Sequence, residues 1–333
     1  MSVQVTRAAV LDLGSSSFQL MVCQTGPGQS LKPVLKRQSL LNLGLEVGSR
    51  GVISPERARA SMRAVKFLRK ALNRASPDVV VPLATAALRD AANGPQVVER
   101  LEHALGAPIQ VLGGEQEARL CFIGQRAGVY IGEDPTLGID LGGGSFELAV
   151  GNCYDIYMAT SAPVGATRLK GELGTGEILF REERKEVRER VREAIETMGP
   201  GLADYPRVAA RTVVSGGTAR ALARLAVAGC YGHAGAPGWR VNQVELSVRQ
   251  LAELAGMLSN LDLAHRLALP GMPARRAAVL PLGACILQAI AEELGIDHYV
   301  VSEWGLREGA VLEALYGAGL CRWRQDQDLF VAQ

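Results

Sequence analysis

Apolar residues along the chain form short runs that end at glycines, and longer stretches in which they recur with helical spacing. In the segments 9–22 and 137–150, two apolar runs lie on either side of a turn rich in glycine or serine. That arrangement is typical of a β-hairpin. Elsewhere strand-like runs alternate with helical stretches, and the pattern as a whole predicts an α/β fold.

The clearest helix start follows Ser54, which has an N-cap side chain and precedes Pro55 in the first turn. Beside its apolar face, the predicted helix carries a basic stripe formed by Arg59, Arg63, Lys66, Lys70 and Arg74. A face of lysine and arginine is usually only solvated, but a long polyanion can also bind along it. Further helices are predicted over about 177–197, 275–294 and 306–316.

The two hairpin segments repeat one another. When they are aligned without a gap, the matched positions include Asp12 with Asp140, Ser17 with Ser145, and Gln19 with Glu147. One copy in each half of the chain indicates a duplicated domain with a cleft between the halves. A chance match between two short turns is the alternative interpretation.

The turns carry the candidate chemistry, because residues without large side chains leave backbone N–H groups free to close around an anionic oxygen. The candidate phosphate-binding residues are Gly14, Ser15, Ser16 and Ser17 in the first turn and Gly142, Gly143, Gly144 and Ser145 in the second. A third glycine turn, which a plain helix entry explains almost as well, adds Gly216, Gly217 and Thr218. Asp140 and Glu147 flank the second turn, so the simplest ligand is a phosphate with a divalent cation.

Composition narrows the class of protein without identifying it. The 333 residues are 48% hydrophobic and 21% charged, an ordinary balance for a globular protein with room for two domains. The net charge of +2 favours neither nucleic acid nor membrane as a partner. Scattered cysteines without CxxC spacing, and an N-terminus without signal-peptide character, predict a soluble cytoplasmic protein with reduced thiols.

Several catalytic classes lack their sequence signature. The chain contains no GxxxxGK[ST] loop and no GxSxG elbow, and its 4 histidines have no metal-ligand spacing. A P-loop enzyme, a phosphoenzyme and a zinc enzyme are therefore not expected. Two means of phosphate chemistry remain: backbone N–H groups that bind phosphate, and carboxylates that bind a metal ion or accept a proton.

Six motifs occur in order along the chain: DLGSSSF, ATAALRDAANG, GGEQEARL, IDLGGGSFEL, SGGTARAL and SEWGLREG. Together they resemble the exopolyphosphatase/guanosine pentaphosphatase (Ppx/GppA) family in its short two-domain form. The resemblance implies an α/β fold of duplicated actin–hexokinase–Hsp70-like (ribonuclease H-like) domains with an inter-domain cleft. It implies a first domain of residues 1–125 with a C-terminal helix at about 306–320, and a second domain of 126–305.

The resemblance also implies roles for side chains. Glu117 falls where the family has the catalytic glutamate that activates water, although a carboxylate that only stabilises a helix N-terminus is the alternative. Glu147 is a second candidate catalytic group, and Asp140 and Glu147 are the expected ligands of Mg²⁺ or another divalent cation. Arg89 is expected on phosphate oxygens, with a surface salt bridge to Asp90 or another acid as the alternative.

Three further residues belong to the expected site or its border, and two depart from the family pattern. Asp12 is expected to hold the first hairpin with its phosphate or metal-bound waters, and Arg307 and Glu308 are expected to be structural. Ser16 stands where relatives have Asn, and Phe146 stands where they have Ser or Thr. These two changes are expected to alter affinity or chain-length preference before activity is lost.

The implied function is Mg²⁺-dependent hydrolysis of the terminal phosphate of inorganic polyphosphate by a Glu-activated water. The alternative enzyme is a guanosine pentaphosphate phosphohydrolase, and none of these residues selects guanine. A non-catalytic sensor of polyphosphate or an alarmone is the alternative from another class. A homodimer is expected from relatives alone.

Overall fold

The computed structural model of the protein describes residues 6–25, 31–199, 209–231 and 240–317. The strands are β1 (Arg7–Leu13), β2 (Ser17–Thr25), β3 (Leu31–Leu40), β4 (Val79–Ala84), β5 (Gln110–Val111), β6 (Thr136–Leu141), β7 (Phe146–Gly151), β8 (Ile156–Ala162), β9 (Arg211–Ser215), β10 (Glu245–Ser247) and β11 (His298–Val301). The helices are α1 (Leu43–Arg50), α2 (Pro55–Ala75), α3 (Ala86–Asp90), α4 (Gly94–Leu105), α5 (Gly114–Gly128), α6 (Ala166–Leu173), α7 (Arg181–Thr197), α8 (Gly217–Tyr231), α9 (Val248–Asn260), α10 (Leu263–Leu267), α11 (Leu280–Leu294) and α12 (Leu306–Tyr316). Among these described helices, none has both the length and the apolar character that crossing a bilayer requires.

Two sheets with the same plan form the frame of the molecule. The first sheet has the strand order β3-β2-β1-β4-β5, and the second has the order β8-β7-β6-β9-β11-β10. Each sheet contains three antiparallel strands that are consecutive in the chain. Parallel strands continue the sheet on the other side of the first of these three. The repeat predicted from the hairpins therefore extends over both sheets, and β10 is an added antiparallel edge strand in the second.

The pairing register agrees with the alignment of the two hairpins. Asp12 lies opposite Gln19 across β1 and β2, and Asp140 lies opposite Glu147 across β6 and β7. Both first strands are central and almost completely buried, which is why each is a nearly continuous apolar run. The aspartate at the end of each run is therefore brought to the carboxyl edge of its sheet.

Two helices, α5 and α12, connect the sheets. Leu120 of α5 belongs to an apolar cluster with β1, β4 and α12, whereas Phe122 packs with residues of β7, β9 and β11. Where α5 and α12 cross, a Cβ on Gly124 would lie 2.0 Å from the carbonyl oxygen of Gly305. A Cβ on Gly309 would lie 1.8 Å from the carbonyl oxygen of Leu120. Glycine is therefore required for this close approach of the two helices.

Two predicted helices differ from the structure at their N-terminal ends. The helix predicted over 177–197 begins only at residue 181, because Gly174 ends α6 in the left-handed conformation and an irregular stretch follows. The helix predicted over 275–294 is divided into a 3₁₀ turn at Ala274–Arg276 and α11. Pro281 lies in the first turn of α11, where its missing N–H is tolerated.

Candidate functional site

A cleft of about 110 Å³ lies where the carboxyl ends of β1, β6 and β9 meet the first turns of α5, α8 and α12. The predicted turn residues that line it are Gly14, Ser15, Ser16, Ser17, Gly142, Gly143, Gly144, Ser145, Gly216 and Gly217. The predicted carboxylates that line it are Asp12, Glu117, Asp140 and Glu147. Both copies of the repeated hairpin therefore contribute to one cavity.

The two hairpin turns face each other across the cleft at close range. A Cβ on Gly143 would lie 2.1 Å from Ser16 Oγ, and a Cβ on Gly144 would lie 2.2 Å from Ser15 Oγ. Ser16 Oγ also lies 2.7 Å from Thr167 Oγ1, at the start of α6. The glycines of the second turn thus make room for the serines of the first, and the backbones of both turns border one narrow space.

Two residues expected beside the phosphate lie away from the cleft. Thr218 is completely buried, and its methyl carbon would lie 2.6 Å from a Cβ on Gly283, so this side chain packs against α11. Phe146 is completely buried in the core of the second sheet, as Phe18 is in the first. Because side chains alternate along a strand, Glu147 faces the cleft and Phe146 faces the core. The side chain of Phe146 therefore cannot influence phosphate binding through direct contact.

Hydroxyl groups fix two of the carboxylates. Ser215 Oγ donates a hydrogen bond to Asp140 Oδ2 at 2.6 Å. Ser145 Oγ and Ser161 Oγ donate to Glu147 Oε1 at 2.6 and 2.9 Å. The hydroxyl of Ser145, which was expected to bind phosphate, is therefore occupied by a carboxylate, and its backbone remains part of the turn.

Glu117 lies in the first turn of α5 and is held by Arg89. Arg89 Nη1 donates to Glu117 Oε2 at 2.8 Å, and Arg89 Nε donates to Asp90 Oδ1 at 3.0 Å. The side chain of Arg89 does not line the cleft, so the structure does not support its predicted contact with phosphate. The salt bridge with Asp90, the alternative that the sequence left open, is present. Glu115, two residues before Glu117, is exposed.

Burial raises the pKa of four carboxylates in the cleft. It raises the pKa of Asp12 to about 6, and the pKa of Glu117 to about 7 even though Arg89 lowers it. Burial also raises the pKa of Asp140, and it raises the pKa of Glu147 together with the negative charges nearby. A glutamate with a pKa of about 7 is able to accept a proton at neutral pH.

Three arginines in the cleft were not assigned to it from the sequence: Arg220, Arg276 and Arg307. Burial, with the repulsion of neighbouring arginines, lowers the pKa of Arg220 and Arg276 to about 10, so both stay charged at neutral pH. In the described ranges, none of the three forms an ion pair with a carboxylate. Guanidinium groups without anionic partners favour an anionic ligand in this cleft.

The sequence contains only weak signals for these arginines. Arg220 follows the third glycine turn within SGGTARAL, and Arg307 lies in SEWGLREG, where it was expected to be structural. Arg276 lies in no motif and reaches the cleft from the 3₁₀ turn before α11, beside Gly217. Glu308 has the expected structural role in addition to lining the cleft, since its Oε2 accepts a hydrogen bond from Gly305 N at 3.2 Å.

A thiol is another residue of the cleft that was not predicted from the sequence. Cys121 lies one helical turn after Glu117, and its Sγ lies within 4.8 Å of carboxylate oxygens of Asp140 and Glu147. Burial raises the pKa of Cys121, and the carboxylates add to this effect. Asp140 and Glu147 offer the oxygen donors that Mg²⁺ prefers, beside a turn suited to phosphate, and therefore fit the predicted metal.

The basic stripe lies outside the cleft, on α2. Ser54 is the N-cap of that helix as predicted, since its Oγ accepts a hydrogen bond from Arg57 N at 3.2 Å. The exposed members are Arg59, Arg63, Lys66, Lys70 and Arg74, and none of the ion pairs among described residues involves them. Lys70 and Arg74 also border a groove of about 440 Å³ that Arg37 of β3 borders from the other side.

Comparison with known proteins supplies a family. The chain matches the Ppx/GppA phosphatase family over residues 21–317. Exopolyphosphatase 1 of Mycobacterium tuberculosis is 30% identical over 321 residues, which cover 93% of this chain and 88% of that protein. The crystal structure of the Ppx/GppA family member of Aquifex aeolicus is 25% identical and has a TM-score of 0.75, over 94% of this chain and 98% of that chain.

Other structures extend the likeness of the fold. An exopolyphosphatase of Cytophaga hutchinsonii has a TM-score of 0.84 at 21% identity, over 94% of this chain and 99% of that chain. At this identity the likeness shows the fold alone. Together with the two sheets of equal plan, these matches confirm the predicted α/β fold of duplicated actin-like units.

Proposed function

Because the chain belongs to the Ppx/GppA phosphatase family and is therefore a phosphatase, we propose that it is an exopolyphosphatase, which releases the terminal phosphate of inorganic polyphosphate. The mycobacterial relative, named as an exopolyphosphatase, supports this substrate. The observation that carries the proposal is a buried glutamate with a pKa of about 7 in a cleft between two facing turns, which also contains three arginines without a carboxylate partner among the described residues. The cytoplasmic location expected from the sequence and the homodimer expected from relatives belong to the same proposal.

Glu117 acts as the general base in this reaction. A water molecule gives a proton to its carboxylate while the water oxygen bonds to the terminal phosphorus. The bond between that phosphorus and the bridging oxygen breaks, and the shortened chain leaves with the bridging oxygen. Arg89 is a positioning residue, because it holds Glu117 at 2.8 Å and does not itself line the cleft.

The phosphate groups bind between the turns and the arginines. The N–H groups of Gly14 and Gly142 close their own turns by donating to Ser17 O and Ser145 O. The remaining N–H groups of the two turns border the same cleft and can surround phosphate oxygens. Arg220, Arg276 and Arg307 supply the positive charge that balances the oxygens of the terminal groups. Their lack of carboxylate partners supports this role, because a buried guanidinium otherwise has its charge uncompensated.

Asp140 and Glu147 would hold Mg²⁺ or another divalent cation. Bound there, the cation neutralises phosphate charge. Ser215 orients Asp140, and Ser145 and Ser161 orient Glu147, as the outer partners of metal ligands commonly do. Asp12, at the matching place in the first hairpin, faces the same cleft and supports the first turn.

The basic stripe on α2 binds distant parts of a long polyphosphate chain. Its five cations are exposed, and they lack ion-pair partners among the described residues. A polymer of phosphate provides a negative charge at each unit, which suits a row of lysines and arginines. Because the stripe lies outside the cleft, it contributes to chain-length preference and not to the chemical step.

Phosphate release from three substrates, measured side by side with Mg²⁺, tests the proposed activity. The substrates are short polyphosphate, long polyphosphate and guanosine pentaphosphate. We expect release from polyphosphate to have the highest kcat/KM. A clear preference for guanosine pentaphosphate would contradict the proposed substrate and favour the alternative enzyme. Binding without release from any of the three would instead identify a sensor.

A further inference from the structure

Cys121 adds to the cleft a donor atom that an oxygen-only metal site does not need. It is 3% exposed, lies on α5 and lines the cleft. Its Sγ and carboxylate oxygens of Asp140 and Glu147 all lie within 4.8 Å of one another. One sulfur and two carboxylates, from α5, β6 and β7, thus converge on one point.

The two carboxylates of this cluster are held in place, and one of their oxygens has no donor. Gln125 Nε2 donates to Ser215 Oγ at 2.8 Å, and this hydroxyl donates to Asp140 Oδ2. Both serine hydroxyls bonded to Glu147 reach Oε1, and within the described ranges no side chain or backbone group donates to Oε2. Glu147 is 3% exposed and lines the cleft, and a carboxylate oxygen without a donor in such a place favours a cation as its partner.

The donor set of one thiolate and two carboxylates selects a different cation from Mg²⁺. Soft sulfur ligands favour Zn²⁺ and similar ions, whereas Mg²⁺ prefers oxygen alone. Tetrahedral Zn²⁺ binds sulfur at about 2.3 Å and carboxylate oxygen at about 2.1 Å, which places the donors about 3.5 Å apart. Small side-chain rotations therefore suffice to bring donors that already lie within 4.8 Å of one another to that spacing.

We propose that Cys121, Asp140 and Glu147 form an inhibitory site for a thiophilic divalent cation of the Zn²⁺ class. Binding forms a metal–sulfur bond and breaks the S–H bond of Cys121, whose proton passes to solvent, and no electron is transferred. The cation uses both carboxylates that would hold Mg²⁺, so the two ions exclude each other. The inhibitory role rests on the proposed function, whereas the metal site is testable without turnover.

Titration of the full-length protein with Cd²⁺, a spectroscopic substitute for Zn²⁺, tests the site directly. Sulfur bonded to Cd²⁺ gives a charge-transfer absorption in the ultraviolet. We expect this absorption in the wild type, its loss in Cys121→Ala and Cys121→Ser, and at least about 10-fold weaker Cd²⁺ binding in both variants. Excess Mg²⁺ should weaken Cd²⁺ binding to the wild type.

Two other cysteines provide matched controls. Cys153 is partly exposed outside the cleft, and Cys285 is buried in the core of the second sheet, so Cys153→Ala and Cys285→Ala should keep the absorption. Absorption that persists in both Cys121 variants, or Cd²⁺ binding that Mg²⁺ leaves unchanged, would overturn the proposal. Cys121→Ser preserves side-chain size, and an unchanged melting temperature for this variant separates loss of a ligand from loss of the fold.

Inhibition provides the second arm of the test. At a fixed Mg²⁺ concentration, Zn²⁺ should inhibit phosphate release by the wild type at least about 10-fold more strongly than by Cys121→Ser. Equal inhibition of the two proteins would contradict the inhibitory role. If Cd²⁺ binds as expected and the protein releases no phosphate, the metal site is supported and the proposed hydrolysis is the claim that fails.

Discussion

The carboxylates of the cleft are buried, although an ionised carboxylate is more stable in water than in the protein interior. Asp12 and Glu117 acquire pKa values of about 6 and about 7, and burial raises the pKa of Asp140 and Glu147 as well. Each ionised carboxylate in such a place lowers the stability of the free protein. A general base that works near neutral pH needs a pKa raised in this way, so the proposed role of Glu117 accounts for the loss of stability at that residue.

The pH dependence of catalysis should follow Glu117. The base must be deprotonated, so kcat/KM should rise with pH through about 7 and then level off. The positive charge of Arg89 lowers the pKa of Glu117. In Arg89→Met the pKa should therefore increase, the acidic limb of the pH–rate profile should move to higher pH, and activity at pH 7 should fall by about 10-fold. The control is Arg119→Met, a substitution at an exposed position of α5, the helix that carries Glu117. If the acidic limb of the pH–rate profile did not move in Arg89→Met, the assignment of Glu117 as the base would be contradicted.

The stability of the fold should change with pH through Asp12. The pKa of its carboxyl group is 3.8 in the unfolded chain and about 6 in the folded protein. Between these two pH values the folded state binds more protons than the unfolded state, so the free energy of unfolding falls as the pH rises. Asp12→Asn should raise the free energy of unfolding by about 1–3 kcal/mol above pH 7 and leave it unchanged near pH 4. Denaturant unfolding at the two pH values measures this, with exposed Asp134→Asn as a control that changes little at either. A gain of equal size at both would exclude the pKa of Asp12 as its source.

At the scale of residues, the sequence identified groups of the cleft that lie in a recognisable local pattern. Asp12, Asp140 and Glu147 were found because each lies at a fixed place in a repeated hairpin. Arg276 could not be found in this way, because it reaches the cleft from a 3₁₀ turn that no local pattern connects to it. Phe146 was linked to phosphate affinity through its place in a motif, whereas the alternation of side chains along the strand puts it in the core.

At the scale of elements, α5 presents different faces to three environments. Glu117 and Cys121 are one helical turn apart and both face the cleft, while Phe122 packs on the second sheet and Leu120 lies in the cluster with α12. The helix therefore fixes the position of Glu117, the proposed base, against the cores of both sheets. Its close crossing with α12 is the contact that keeps this position.

Substitution at the crossing should be destabilising. In Gly124→Ala the new methyl group would meet the carbonyl oxygen of Gly305 at 2.0 Å, a backbone atom that cannot rotate away. We expect the free energy of unfolding to fall by about 1–3 kcal/mol or more. Gly256→Ala on α9, where a Cβ has nothing within 4 Å, should instead raise it by up to about 1 kcal/mol. Similar effects of the two substitutions, measured by denaturant unfolding, would contradict the close approach of α5 and α12.

Hairpins and capped helices were predictable, and several helix starts were not. Ser54 identified the start of α2 because an N-cap acts within a single turn. The charged residues before position 197 indicate a helix but do not show where it begins, since Gly174 ends one helix and the residues up to 180 are irregular. Element identity thus followed from periodicity, and boundaries depended on local breaks.

At the scale of the whole molecule, the cleft exists only because both sheets bring their repeated turn to the same place. Each turn alone is an ordinary bend, and the pair encloses a space that both carboxylates and arginines line. The sequence predicted the two copies and the cleft between them. The register in which Ser15 and Ser16 fit against Gly144 and Gly143 depends on the assembled fold, which no local signal contains.

The basic stripe should affect long substrates alone. Replacing Arg63, Lys66 and Lys70 by Ala should weaken binding of long polyphosphate by about 10-fold at low salt and leave short-chain hydrolysis unchanged, because the stripe lies outside the cleft. The control is the triple alanine variant at the exposed cations of α7, Arg181, Lys185 and Arg188, which changes net charge equally. Binding of long polyphosphate by both triple variants should be measured at several salt concentrations. An equal loss of affinity in the two variants would show that net charge, and not the position of the stripe, causes the effect.

The central claim is that Glu117 is the general base of a phosphate-releasing cleft. The most direct measurement is kcat for phosphate release from polyphosphate by the wild type, Glu117→Gln and Glu115→Gln, with substrate binding measured on the same proteins. Glu117→Gln should lower kcat by about 10²–10⁴-fold and keep substrate binding, because the amide retains size and loses the basic oxygen. Exposed Glu115→Gln, two residues away on the same helix, should behave as the wild type. Wild-type kcat in Glu117→Gln would contradict the account.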